Sequence, residues 1–285
     1  MRKLSKNQNT VVESTIKPAI KFIEEIESGD KVVIAHGHDN DSICSAVVLY
    51  KLLKKNNNAD VELFVTKDNF ALIDEDVDEI SKLGPDHIIV VDIAHTDFSE
   101  HVKKTLATNN SLIIDHHQPI KLQGVTYCNP RVYDKKIYMP VSYIVYKIFE
   151  KFLDVSEIVW IAGIGVLSDH AVAIAGDLFE QIKKINPGLI GQTKLKEEDL
   201  FSYSVIGTLA KILDSARVVE GRVGSVLATR ALIKVKSYQE ITNASGGDAA
   251  KLMMWSDLVR KEFKRLVADF NKKKNWATLR IEIEN

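Results

Sequence analysis

The residues best suited to chemistry form the run Asp115-His116-His117, which directly follows the apolar segment 111–114. An aspartate and two histidines at the end of a buried strand are costly for structure alone, because polar groups lose their hydration there. Carboxylate and imidazole groups together are also the ligands with which proteins hold divalent metals. The run therefore predicts a metal site at the end of a strand.

Three other polar clusters follow apolar segments in the same way. His36-Gly-His-Asp-Asn-Asp-Ser42 follows the β-branched run 31–35, Asp92 follows residues 87–91, and Asp169-His170 follows the apolar run 158–167. Six of the eight histidines lie within three residues of an aspartate in one of these four clusters. Such clustering favours a single shared site.

Each aspartate also has a purely structural explanation. Asp39 and Asp41 precede a helical pattern and suit N-terminal caps, and Asp169 suits the end of a helix. Asp92 suits a loop at the end of a strand, and His116 and His117 suit a turn or the core. Four such coincidences at one sheet edge are much rarer than one, so the set as a whole favours chemistry.

The elements that must position these clusters alternate between strand and helix, in units of about 30 residues, which is typical of a parallel sheet with helices on both faces. In such sheets ligands bind beyond the carboxyl ends of the strands, where the clusters at 36–42, at Asp92 and at 115–117 would lie. We expect strands at 31–35, 61–65, 87–91 and 111–114, and helices at about 10–28, from residue 43, at 71–83 and at 98–106.

The second half of the chain is mainly helical. We expect helices at 141–153, 158–167, about 199–214, 222–234 and 247–271, a loop at 186–191, and a last strand at 277–283. The predicted fold class is α/β, with a parallel sheet flanked by helices and a mainly helical C-terminal region that ends in a strand. A domain boundary near residue 190 divides the chain into residues 1–190, which carry the site, and residues 191–285.

Composition excludes several classes of protein. The 285 residues carry a formal net charge of −1, so any attraction to nucleic acid must be local. Two cysteines in unrelated contexts make neither a disulfide framework nor a cysteine zinc site. No apolar signal core or membrane-spanning run is present, and a reduced cytoplasmic protein without a membrane partner is expected.

Taken together, the four clusters resemble the four motifs of the DHH phosphoesterase superfamily, in order and spacing, over about residues 30–175. Its members include RecJ-type single-strand exonucleases, short-oligonucleotide ribonucleases, cyclic-dinucleotide phosphodiesterases and manganese pyrophosphatases. The first motif, with Ser42 after Asp41, is close to the pyrophosphatase version. The resemblance makes residues 1–190 the DHH domain and residues 191–285 the start of a truncated or reduced substrate-binding domain.

Carried over residue by residue, the resemblance implies two Mn²⁺ ions, with Mg²⁺ as the second choice. Asp92 would bridge the two ions. Asp115 would orient the ring of His116 without binding a metal itself. His36 is favoured over His38 as a ligand because it ends the strand, but the choice stays open. The implied first metal is held by His36, Asp39 and Asp92, and the second by Asp41, Asp92, His116 and Asp169.

The catalytic residues implied are Asp92, Asp115 and His117, with His117 facing the scissile phosphate. A basic helix end at residues 260–274 suggests a path for a phosphate backbone, although a solvated helix face is the simpler explanation. The expected substrate-binding residues are His38, His117, His170, Arg260 and Lys264.

The leading hypothesis is a Mn²⁺-dependent phosphodiesterase that hydrolyses single-stranded or short nucleic acid in the manner of RecJ-like exonucleases, with hydroxide supplied by two metals. One alternative is a hydrolase of small phosphates such as pyrophosphate, polyphosphate, a cyclic dinucleotide or a nucleoside bisphosphate. Another is an inactive DHH-type scaffold of the replication machinery. The expected partners are nucleic acid or a small phosphate ester, and a replication or repair protein; the sequence sets no oligomeric state.

Overall fold

The computed structural model describes residues 5–94, 98–120, 122–192 and 194–273, and a five-stranded sheet lies at its centre. The strands are Lys31–His36 (β1), Asp60–Val65 (β2), His87–Val91 (β3), Asn110–Ile114 (β4) and Thr126–Cys128 (β5). They are all parallel, in the order β2-β1-β3-β4-β5. Strands β1, β3 and β4 are almost continuously apolar, as is typical of strands that are buried on both faces of a sheet.

Helices make up most of the rest of the described chain, and none of them is both long enough and apolar enough to cross a membrane. A π-helical turn at Leu53–Asn57 follows α2 and a 3₁₀ turn at Pro130–Val132 follows β5. The helices are Lys6–Glu24 (α1), Asn40–Leu52 (α2), Asp74–Lys82 (α3), Glu100–Thr108 (α4), Val141–Phe149 (α5), Val159–Ser168 (α6), Gly176–Ile185 (α7), Pro187–Ile190 (α8), Glu197–Tyr203 (α9), Val205–Lys234 (α10), Gln239–Thr242 (α11) and Gly247–Lys273 (α12).

Two apolar clusters cover the two faces of the sheet. Val32 and Ile34 of β1 belong to the larger cluster, which also contains the buried residues of α1, α2, α5 and α6. Val33 and Ala35, on the alternate face, pack with α3 and α4. The predicted parallel sheet with helices on both faces is therefore confirmed.

Several predicted boundaries differ from the structure. The predictions missed β5, which has only three residues, and α7. Helix α2 begins at Asn40 rather than Ile43, because the Asp39 carboxylate caps it by accepting a hydrogen bond from Ser42 N at 2.9 Å. The predicted loop 186–191 contains α8, and the predicted strand 277–283 lies outside the described residues.

The helices beyond residue 190 pack directly on the α/β layers. Helix α10 contacts α2 and α6, and its backbone is non-helical at Glu220 and Gly221. It therefore consists of two helical segments on either side of a kink, and the second segment matches the helix predicted at 222–234. The larger apolar cluster runs from Val11 to Trp255 and includes residues on both sides of the predicted domain boundary. The site thus rests on a core to which both halves of the chain contribute.

Candidate metal centre

Five side chains meet at the carboxyl edge of the sheet. One group consists of Asp92, His116 and His117, and the other of Asp41, His116 and Asp169. Within each group the potential ligand atoms lie within 4.8 Å of one another. The shared His116 makes the two groups neighbours, so this edge offers ligands for two adjacent cations.

Asp92 follows β3 and adopts a left-handed conformation, with φ of +54°. Few residues other than glycine do so without a compensating contact. Here Asp92 N donates to Ile114 O at 3.0 Å, and the Ser42 hydroxyl donates to Asp92 Oδ2 at 2.7 Å. The other oxygen, Oδ1, lies 3.3 Å from His116 Nε2. The backbone turn thus directs the carboxylate into the site.

Asp41 lies in the first turn of α2 but its carboxylate caps α5. It accepts hydrogen bonds from Val141 N at 2.7 Å, from Ser142 N at 2.9 Å and from the Ser142 hydroxyl. Pro140, which precedes α5, supplies no side-chain cap of its own. The capping function predicted for Asp41 is therefore real, but it serves a helix about 100 residues away and holds the carboxylate at the site.

The two histidines after β4 have different environments. His116 is buried, whereas His117 is partly exposed. Asp115 was expected to orient His116; instead its Oδ1 accepts a hydrogen bond from His117 Nδ1 at 2.7 Å, and its Oδ2 accepts one from His117 N at 3.0 Å. Asn129, beyond β5, donates to His117 O at 3.0 Å. Asp115 therefore orients the second histidine.

Asp169 ends α6 and is held by a residue that sequence reasoning missed. Tyr138 donates its hydroxyl to Asp169 Oδ2 at 2.6 Å, and its ring centroid lies 4.9 Å from that of His116. Asp169 Oδ2 is 3.7 Å from His116 Nδ1. Nothing in the sequence singles out Tyr138, because it lies in an irregular loop and reaches the site only through the fold.

Burial and the mutual repulsion of the carboxylates determine the electrostatics of the cluster. Burial, reinforced by neighbouring carboxylates, raises the pKa of Asp41 and Asp92 well above the usual range. Burial also raises the pKa of Asp169 and lowers that of His116. A divalent metal would offset the repulsion between the carboxylates, and it needs the neutral imidazole that burial favours.

Two buried atoms indicate whether these residues could bind a metal. Asp92 Oδ1 and His116 Nδ1 have no hydrogen-bond partner in the part of the chain that the structure describes. Leaving such atoms unpaired is costly, and binding a metal would satisfy both. The ligand set of carboxylates and imidazole suits Mn²⁺, Fe²⁺ or Zn²⁺. The residues present therefore fit a divalent metal.

The predicted first-motif histidines lie beside the site with their rings engaged elsewhere. His36 donates from Nδ1 to Gly37 O at 2.7 Å, and its Nε2 lies 3.4 Å from Thr229 Oγ1. His38 donates from Nε2 to Thr66 O at 2.7 Å. Burial lowers the pKa of His36 to about 4. Neither ring belongs to the two groups of potential ligands, and the choice between them as metal ligands stays a prediction.

The other predicted residues are placed as follows. Asp39 caps α2 and is close enough to raise the pKa of Asp92. His170 is exposed next to Asp169, with Nδ1 3.3 Å from Glu197 Oε1. On α12, Arg260 pairs with Asp257 at 2.8 Å, and Lys264 is exposed. The structure thus brings together Asp41, Asp92, His116, His117 and Asp169, and leaves Arg260 and Lys264 on a separate helix.

Comparisons with known proteins agree with the fold described above. Residues 31–166 match the DHH family, N-terminal domain. The fold resembles that of the exonuclease RecJ bound to manganese, with a TM-score of 0.64 and 17% identity over 90% of this chain and 70% of RecJ. RecJ from Thermus thermophilus in complex with Mn²⁺ gives a TM-score of 0.60 and 16% identity over 92% of this chain and 39% of RecJ.

The DHH domain of a member of a family of ribosomal proteins is also similar, with a TM-score of 0.64 and 17% identity over 94% of this chain and 64% of that one. The chain thus spans between about two fifths and seven tenths of the lengths of these three relatives. No curated protein matches it in sequence. Residues 31–166 are therefore a DHH-family N-terminal domain, and the fold of the chain as a whole resembles that of RecJ.

Proposed function

We propose that this protein is a Mn²⁺-dependent phosphodiesterase that hydrolyses single-stranded or short nucleic acid. The observation that carries the proposal is the pair of adjoining ligand groups around His116, with buried, unpaired atoms on Asp92 and His116. Two bound cations would neutralise the charge of a phosphodiester and lower the pKa of water. The mixed carboxylate and imidazole set favours Mn²⁺ over Mg²⁺, which prefers oxygen ligands.

The chain itself would hold the metals with Asp41, Asp92, His116 and Asp169. We retain Asp39 and His36 as proposed additional ligands, and His36 would have to give up its contact with Thr229 to bind. Because Ser42, Ser142 and Tyr138 each donate to a ligand carboxylate, the ligands would be oriented before a metal arrives.

His117 belongs to the first group of potential ligands, with an atom within 4.8 Å of those of Asp92 and His116, but we assign it to the substrate rather than to a metal. Asp115 occupies its Nδ1, so Nε2 on the other side of the ring is free to donate a hydrogen bond to a phosphate oxygen. Burial acts to lower the pKa of His117, but the hydrogen bond and charge of Asp115 outweigh it, and the net pKa is raised. A histidine that holds its proton in this way suits the negative charge of a phosphodiester.

The test is a panel of substrates with Mn²⁺: single-stranded DNA and RNA labelled at the 5′ or 3′ end, pyrophosphate and a cyclic dinucleotide. We expect stepwise shortening of an oligonucleotide from one end. Asp92→Asn, which keeps the size of the side chain, should abolish it. Asp78→Asn, on the exposed surface of α3, is the matched control and should leave it unchanged.

A second candidate is a hydrolase of small phosphates, favoured by Ser42, which follows Asp41 as in the pyrophosphatase version of the motif and holds Asp92. Phosphate release from pyrophosphate without oligonucleotide cleavage would select it. If the wild-type protein binds Mn²⁺ but hydrolyses none of these substrates, both enzymatic proposals are wrong and the inactive scaffold is the hypothesis that stands.

A further inference from the structure

Three side chains outside the proposed metal ligands form a small cluster next to Asp169. The ring centroids of His170 and Phe201 lie 6.0 Å apart, and Lys211 Nζ lies 5.0 Å from the centroid of the Phe201 ring. The three residues come from different elements: the turn after α6, helix α9 and helix α10. We call His170, Phe201 and Lys211 the rim cluster.

Asn40 joins the rim cluster to the metal centre. It lies between the two aspartates of the first motif, and its Nδ2 donates to Ser168 Oγ and to Ala210 O, both at 2.9 Å. Ser168 precedes the turn that carries His170, and Ala210 directly precedes Lys211. This buried amide therefore holds the segments that carry the rim cluster against the ligand-bearing loop.

Lys211 is a cation that pairs with no acidic residue of the described ranges. Within the described part of the chain it forms no ion pair, and burial alone accounts for the lowering of its pKa. The three arginines of α10 differ: they donate to Asp214, to the carbonyl oxygens of Val65 and Thr66, and to Asp248. The positive charge of Lys211 is thus left available for an anionic ligand.

The two rings of the rim cluster provide a surface for a flat ligand. The His170 side chain is 70% exposed, and its backbone adopts the left-handed region, with φ of +54°. Its ring is held by Glu197, whose Oε1 is 3.3 Å from Nδ1 and whose Oε2 accepts a hydrogen bond from Val172 N. Phe201 is half-buried, so one part of its ring packs on the core while the rest faces the rim.

A cation beside aromatic rings is the combination with which proteins hold single-stranded nucleic acid, through phosphate and base respectively. Pyrophosphate has no base and would leave the rings unused. We propose that the rim cluster is a nucleotide subsite, in which Lys211 binds the phosphate next to the scissile one and the His170 and Phe201 rings contact the attached base. This inference rests on the proposed phosphodiesterase function and specifies its substrate as at least two linked nucleotides.

The experiment measures binding and catalysis separately. Binding is followed by fluorescence anisotropy of a labelled single-stranded 12-mer without metal, and catalysis with bis(p-nitrophenyl) phosphate and Mn²⁺, a phosphodiester with one phosphate and no nucleobase. The variants are Lys211→Met and Phe201→Leu, which keeps an apolar side chain against the core. Lys183→Met, an exposed lysine of α7, is the matched control.

We expect Lys211→Met and Phe201→Leu each to raise the Kd for the 12-mer about 10-fold, as the loss of a phosphate contact or a stacked ring does. Lys211→Met should also lower the salt dependence of binding, and hydrolysis of bis(p-nitrophenyl) phosphate should stay within about 2-fold of wild type for every variant. Lys183→Met should match wild type throughout.

Wild-type affinity for the 12-mer in both variants would overturn the subsite while leaving the proposed function intact. Equal losses of binding and of bis(p-nitrophenyl) phosphate hydrolysis would also overturn it, because the variants would then have damaged the metal centre. Absence of hydrolysis by the wild-type protein would instead count against the proposed function, and the anisotropy measurement would still decide on the subsite.

Discussion

Ser42 is the hydroxyl donor that orients Asp92, through a bond of 2.7 Å to Oδ2. Without it, Asp92 would keep its place after β3 but lose the contact that turns Oδ1 toward His116. We expect Ser42→Ala to lower the affinity for Mn²⁺ by about 10- to 100-fold, as the loss of a residue that supports a metal ligand does. Isothermal titration calorimetry with Mn²⁺ measures this directly.

Ser81→Ala is the control for that variant, because Ser81 also uses its hydroxyl within the fold, donating to Val77 O in α3, on the other side of the sheet. It should bind Mn²⁺ like the wild-type protein. Equal affinity in Ser42→Ala and wild type would show that Asp92 is oriented by its backbone alone.

His36 makes stability depend on pH. Burial lowers its pKa from 6.5 to about 4, so below pH 6.5 the unfolded chain takes up a proton that the folded protein does not. The stabilisation is complete above pH 6.5 and is lost as the pH falls toward 4, by about 3 kcal/mol in total. We expect urea unfolding of the metal-free protein to show a smaller loss of stability between pH 7.5 and 4.5 in His36→Asn than in wild type.

The asparagine side chain can still donate to Gly37 O but does not titrate, so the comparison isolates the imidazole. The carboxylates contribute their own pH dependence to both proteins and cancel in the difference. Identical losses in the two proteins would mean that His36 is hydrated in the folded state.

Helices α2, α5 and α6 meet at the site because a glycine lets them approach. A Cβ atom at Gly165 of α6 would lie 2.6 Å from Ser142 Oγ and 3.1 Å from Asp41 Oδ1. We expect Gly165→Ala to displace Ser142 from Asp41 and to destabilise the fold by about 1–3 kcal/mol, as overpacking of a core does. Urea unfolding measures the stability, and titration calorimetry measures an accompanying loss of Mn²⁺ affinity.

The control for Gly165→Ala is Gly246→Ala, since a Cβ atom at Gly246 would meet nothing within 4 Å. It should change neither quantity. A Gly165→Ala protein that unfolds more readily than wild type but binds Mn²⁺ normally would contradict the view that this close approach holds Asp41 in place.

For the whole molecule, the metal centre joins segments far apart in the chain, from Asp41 to Asp169, so cation binding should stabilise the entire fold. At a free Mn²⁺ concentration about 100 times Kd, one site adds about 2.7 kcal/mol to the free energy of unfolding. We expect thermal unfolding to shift upward with Mn²⁺, and removal of the metal with EDTA to reverse the shift. The shift should vanish in Asp92→Asn and persist in Asp78→Asn; an equal shift in both would place the binding elsewhere.

The fold class and much of the candidate site could be predicted from the sequence. Asp92 and His116 could be placed together because each follows a β-branched strand, and the carboxyl ends of parallel strands meet at one edge. Strand β5, Tyr138 and Ser142 could not be predicted. Their contribution depends on where a loop and a helix cap return to the sheet edge, which leaves no periodic pattern in the sequence.

By itself, the sequence determined the parallel sheet, its covering helices and the convergence of Asp41, Asp92, His116 and His117, because local hydrophobic period and the direction of parallel strands set all of these. Asp169 ends a helix, so the sequence linked it to them only through the resemblance to the four motifs. Only the tertiary structure decided the partners of the individual atoms. It joined Asp115 to His117 rather than His116, used Asp41 to cap α5, and turned the rings of His36 and His38 toward other groups. Hydrogen bonds act over about 3 Å, so they depend on packing between segments distant in the chain, which a pattern of residue types does not specify.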